Sequence, residues 1–179
     1  MKLHTTYFGP IQWYQSLYRS DDVIIDGDER WQKQTIRNRC QIATANGVQT
    51  LSVPVVHSGE PHPTTKDIRI SNHGKWRREH WNALQSAYGE SAFFDYYEDD
   101  IRPFFTEEWE YLFDYNLAIM NKMCELISPT PLHTPHSTLH TPPSTPYYQV
   151  YQQKHGFIPN LSILDLLFNM GNEAILYLI

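Results

Sequence analysis

Six of the chain's twelve prolines fall in the nineteen residues from Ser128 to Pro146, SPTPLHTPHSTLHTPPSTP. Proline fixes φ and removes a backbone donor, so neither a helix nor a central strand can run through that stretch. It has no hydrophobic period, and its repeated TP and HT units read as an extended, disordered linker. Whatever packs is therefore assembled from residues 1–127, read as an α/β domain, and residues 147–179, read as a C-terminal helical segment. The latter is too apolar to stay in water and is expected to dock on the domain or on a partner. Asn160 or Ser162 can cap its helix, Gly171 breaks it and Asn172 starts a final turn. The linker's His133, His136 and His140 lack the fixed scaffold that a metal site needs.

The first 26 residues read as strand, turn, helix, strand. Leu3 to Phe8 is β-branched and aromatic, Gly9-Pro10 punctuates, and Ile11 to Arg19 carries apolar residues at helical spacing. Val23-Ile24-Ile25 is long enough only for a buried strand. A β-α-β opening implies parallel pairing and places Gly9-Pro10 and Asp26 at strand ends, where open α/β sheets bind ligands. Asn46-Gly47 is the preferred two-residue type I′ hairpin turn. Used that way, it sets Ala45 against Val48, Ile42 against Leu51 and Cys40 against Val53. Alternation then groups Cys40, Ile42, Leu51, Val53 and Val55 on one face, with Arg37, Arg39, Gln41 and Ser52 opposite. Asn38 falls on the apolar face, where its amide must brace backbone or bind something. Lys66 to Ile70 alternates as a third strand. The expected fold is a single mixed β-sheet with this opening and hairpin, flanked by helices over Lys75–Tyr88 and from Thr106 onward. The second helix's stripe is Trp109, Leu112, Phe113, Asn116, Met120, Cys124 and Ile127.

Twenty acidic against fourteen basic residues leave a formal charge of −6, which argues against a non-specific nucleic-acid binder. No apolar run approaches the roughly 20 residues of a membrane span, and MKLHTTYFGP lacks a signal-peptide core. Two cysteines make no disulfide framework. The expectation is a soluble cytoplasmic protein. Within the acidic whole, Arg37, Arg39, Lys66, Arg69, Lys75, Arg77 and Arg78 cluster in sequence, and guanidinium groups suit phosphate or carboxylate capture. His80 sits on its helix's apolar stripe with Trp76 and Leu84, as a structural histidine or a general base. Cys40 beside Arg39 is a core thiol before it is a nucleophile. The run Asp95, Glu98, Asp99, Asp100 reads as a solvated helix end. No HExxH, CxxC, Walker loop or GxSxG occurs, so neither metal nor cofactor is assigned.

Read in order, YFGPIQWYQSLYRSDDVIID, QKQTIRNRCQI, LSVPV, IRIS, REHWNALQSAYGESAFFDYY and KHGFIPNLSILDLLFNMG resemble the WbqC-like protein family. The resemblance covers residues 5–127 and 147–179, with the proline-rich stretch as an insertion. It implies a role in surface-polysaccharide and O-antigen biosynthesis, as a transferase adding an acyl or aminoacyl group to an activated amino sugar. The matching, chemically capable positions are Tyr7, Gly9, Asp26, Asn38, Arg39, His80 and Tyr88. In that reading Arg39 holds an anionic group and His80 takes a proton from the nucleophile. Asp26 orients the sugar or His80, and Asn38 donates to a developing oxyanion. Tyr7, Gly9 and Tyr88 complete the substrate contacts. The implied partner is a sugar or nucleotide sugar. Two further readings are nucleotidyl transfer, which lacks its histidine-rich phosphate motif here, and a non-catalytic binding or assembly protein.

Overall fold

Residues 1–56, 59–128 and 145–179 are described by the computed structural model of the chain. The linker reading over 128–146 falls almost wholly, and the histidine-tract reading wholly, on residues 129–144, outside these. The opening forms a parallel pair, β1 (Lys2–His4) on β2 (Ile24–Asp26), joined by α1 (Ile11–Tyr18). The next strands, β3 (Arg39–Thr44) and β4 (Gly47–Ser52), form an antiparallel hairpin. The fold is thus mixed α/β, but among the described residues it holds two separate two-stranded sheets and not the single sheet expected. The cause lies at the edges. Among the described residues the Tyr7 N–H bonds the Ile36 carbonyl, before β3 begins, and β3 itself is met at Gln41 by the N–H of Ser162.

The hairpin keeps the expected faces with a shifted register. Cys40 pairs with Leu51, Ile42 with Gln49 and Ala43 with Val48, two residues from the type I′ expectation. Within the turn only Gly47 has positive φ, +105°, so the chain turns over Ala45-Asn46 and Gly47 enters the strand as a bulge-type glycine. A shift of two preserves parity, so Cys40, Ile42, Leu51 and Val53 all stay buried. The third strand does not form. Thr64 and Asp67 make a reciprocal capping box that winds Thr65–Asp67 into a 3₁₀ turn, and residues 69–70 make only isolated bridges.

Helix α2 (Trp76–Tyr88) buries the expected stripe of Trp76, His80, Leu84, Ala87 and Tyr88, with Trp81 beside it. The acidic run belongs to α3 (Phe94–Ile101), whose Phe94, Tyr97 and Ile101 face the core. Helix α4 begins at Leu112, not after Thr106, and runs to Ile127. The Ile70 N–H bonds the Glu110 carbonyl and the Leu112 N–H bonds the Ile68 carbonyl, holding residues 110–112 extended. Its buried stripe includes Tyr115, Ile119 and Met123, leaving Phe113, Met120 and Cys124 half-buried.

The tail packs into the core. A short helix α5 (Gln152–His155) precedes α6 (Ile163–Met170), whose first turn is capped by the Ser162 hydroxyl accepting from the Leu164 N–H. Helix α6 is apolar nearly all round, and Leu164, Leu166, Leu167 and Phe168 have no exposed surface. Its ends are sewn to three elements. Ile163 N–H reaches the Gly9 carbonyl, Ser162 N–H reaches Gln41, and Phe93 N–H reaches Phe168. Removing residues 147–179 therefore exposes the middle of the core. A chain truncated at Ser128 is expected to aggregate on expression, and Leu167→Ala to lower the unfolding free energy by about 2–5 kcal/mol in urea titration.

Candidate functional site

The candidate residues separate into three environments. His80 and Tyr7 lie inside. The Tyr7 hydroxyl is 2.8 Å from His80 Nδ1, and Trp76 and Phe105 pack around the ring. His80 is 6% exposed, and burial pushes its pKa down to about 4, only partly offset by a hydrogen bond to the Ser52 backbone. Tyr88 is also sealed. Its hydroxyl donates to Asp165 Oδ1 at 2.9 Å and accepts from the Ala43 N–H at 3.3 Å. Gly9 serves close packing, since a Cβ there would stand 2.4 Å from Thr6 Oγ1. Asp26 lies at the far end of the parallel pair, bound to Lys2 Nζ at 3.1 Å, and that hydrogen bond lowers its pKa.

The basic cluster disperses. Arg37 does not share Arg39's outer face. It is buried and doubly bonded to Glu29, Nε to Oε1 at 2.7 Å and Nη2 to Oε2 at 2.6 Å. Lys66 pairs with Asp28, Arg69 with Glu110, and Arg77 lies over the Trp76 ring and bonds Asn72. Arg37, Lys66, Arg69 and Arg77 are thus each taken up by a separate partner, which draws the cluster apart.

Asn38 and Arg39 are the candidates that face hollows. The larger hollow, about 630 Å³, has Trp31, Val55, Pro61 and Ile68 on its walls, with Arg30 and Asn38. The Asn38 amide does brace backbone, Nδ2 donating to the Val53 carbonyl at 3.0 Å. Its Oδ1 has no partner among the described residues, although the residue is only 8% exposed. The smaller hollow, about 310 Å³, holds Arg39, Cys40, Gln41, Asn160 and Ser162. Gln34, with φ of +60°, lines both. His80 and Asp26 line neither. Burial pushes the Cys40 thiol up, which keeps it protonated.

The sequence reading missed Trp31 and Asp165 and took Asn160 only as a helix cap. A lone tryptophan in the charged run DERWQK was the available signal for Trp31. Among the described residues no three His, Cys, Asp or Glu side chains gather as a metal site, and no helix is long and apolar enough to cross a membrane.

The neutral state of His80 has a measurable consequence. The unfolded chain binds a proton near pH 6.5 and the folded chain only near 4, so stability is full above pH 6.5 and falls as pH drops toward 4. The loss attributable to this ring is about 3 kcal/mol. His80→Gln, which leaves Tyr7 an acceptor, should flatten the urea-unfolding profile between pH 6.5 and 4.

Three comparisons with known proteins bear on these residues. A model of the WbqC-like protein family matches residues 5–145 and 136–177, the two stretches meeting in the proline-rich segment. The chain is 28% identical over 203 residues to Rv1507c, an uncharacterized protein of Mycobacterium tuberculosis, covering 88% of this chain and 87% of that one. No solved structure matches.

Proposed function

The chain belongs to the WbqC-like protein family, and from that premise we propose that it binds an activated amino sugar and serves surface-polysaccharide biosynthesis in the cytoplasm, by acyl or aminoacyl transfer. The observation that carries this reading is the larger hollow. Apolar and aromatic walls with a few fixed polar groups are the usual make-up of a small-molecule site. Trp31 offers a ring face against which the C–H side of a pyranose can lie. Asn38 lines the same hollow, and its Oδ1 keeps an unused acceptor among the described residues. Arg30 adds a cation on the same wall. In this reading the sugar's own amine is the nucleophile, and the chain contributes orientation. His80 is not assigned the proton, because it is enclosed by Tyr7, Trp76 and Phe105.

That enclosure favours a second reading, a non-catalytic sugar-binding module. The described groups with acid-base or nucleophilic capacity that the sequence singled out, His80, Asp26 and Cys40, are each committed elsewhere or held unreactive.

The test is a thermal-shift panel of nucleotide sugars with and without amino groups. At a hundredfold excess over Kd, a ligand is expected to raise Tm by roughly 5–10 °C. Trp31→Ala should remove that shift while leaving the ligand-free Tm within a few degrees. No shift from any sugar nucleotide would overturn both readings. A shift without any transfer of acyl groups to the amine would leave the binding module.

A further inference from the structure

Arg39 is the exception among the arginines of the hairpin region. It makes no hydrogen bond or ion pair through its guanidinium among the described residues, and its Nε is fully buried without an acceptor. A half-buried cation without an anion is costly, and neighbouring Arg37 shows the usual remedy, a carboxylate on two bonds. Arg39 opens instead on the smaller hollow. Ten residues line that hollow and not one is Asp or Glu, in a chain with six more acidic than basic residues. Gln34, Thr35, Gln41, Thr50, Asn160 and Ser162 supply amide and hydroxyl groups around it.

Two helices begin at the same wall. Pro10 is the N-cap of α1 and Ser162 the N-cap of α6, and both line the hollow. Their first N–H groups are already bonded, Gln12 to Asn160 Oδ1 and Leu164 to Ser162 Oγ, so what they add is the positive end of two helix dipoles.

We propose that the smaller hollow is a phosphoryl-binding subsite, with the Arg39 guanidinium as its anchoring cation. The assignment extends the sugar reading, since a nucleotide sugar carries phosphoryl groups and Gln34 lines both hollows. It nonetheless rests on its own geometry and is tested without a sugar.

The experiment titrates sodium pyrophosphate into the full chain by calorimetry at constant ionic strength, with succinate as the carboxylate arm. Pyrophosphate should bind at one site, and Arg39→Ala should weaken it at least about tenfold, as expected for loss of a charged hydrogen bond. Arg78→Ala, an exposed cation lining neither hollow, should bind as wild type does. If Arg39→Ala fails to fold, Arg39→Lys identifies the Arg39 Nε–H resonance in the wild-type nitrogen-proton spectrum, and that resonance should move on adding pyrophosphate. Equal affinity in folded wild type and Arg39→Ala, or an unmoved Nε–H, overturns the proposal. Arg39-dependent binding of succinate alone overturns the phosphoryl assignment. Pyrophosphate binding with no Trp31-dependent gain from any nucleotide sugar retains the subsite and defeats the sugar reading.

Discussion

The arrangement depends on one buried carboxylate. Asp165 is 1% exposed, and burial raises its pKa against the pull of three donors. The Tyr88 hydroxyl bonds Oδ1 at 2.9 Å, while the Tyr147 hydroxyl and Gln149 Nε2 bond Oδ2 at 2.5 and 3.0 Å. These donors come from α2 and from the first residues of the tail, and Tyr88 is itself held by the Ala43 N–H of β3. A carboxyl in hydrocarbon is tolerable only while its donors stay in place, so the cluster admits one packing of α6. That packing sets the Ser162–Gln41 and Ile11–Leu161 hydrogen bonds. Those bonds in turn bring the start of α1 and the edge of β3 together around the smaller hollow.

The same residue types serve the core and the chemistry, and here the core claims most of them. The family resemblance makes Tyr7 and Tyr88 substrate contacts, and an imidazole that titrates near neutrality makes His80 a candidate base. In the fold each instead satisfies a buried polar neighbour. Their pKa values are pushed in the directions that keep them neutral, Tyr7 and Tyr88 up and His80 down. Groups held neutral over the physiological range brace a core well and exchange protons poorly. Most of the polar residues that line the two hollows lie on the loop and strand from Arg30 to Gln41, with Thr50, Glu60, Asn160 and Ser162 beside them.

What was legible in the sequence followed from local periodicity. The faces of the hairpin and the α2 stripe could be read because parity and the 3.6-residue period survive small slips. The hairpin register could not, because Asn-Gly supports two turns and the choice falls on which residue takes positive φ; here it is Gly47 alone. The start of α4 was illegible for a different reason. Residues 110–112 are held extended by hydrogen bonds to residues 68 and 70, forty or more positions away, and no local signal carries that. The split into two sheets has the same origin, in the tail's capture of the β3 edge at Gln41.

Arg37 and Arg39 make the sharper case. They are two residues apart, of one type, and alternation alone would give them one fate. The turn before the strand swings Arg37 inward to Glu29, and Asn116 Nδ2 fixes its carbonyl at 2.7 Å. Arg39, inside the regular strand, keeps the outward face that the pleat assigns it. Carboxylates are plentiful in this chain, twenty against fourteen cations, so scarcity does not explain a half-buried guanidinium left without one. Electrostatics penalises that arrangement in isolation, and packing does not require it, because Arg39 lines an open hollow of about 310 Å³. A charge kept unpaired, half-desolvated and facing open volume is the arrangement that gains most when an anion arrives, since much of the desolvation has already been met by folding.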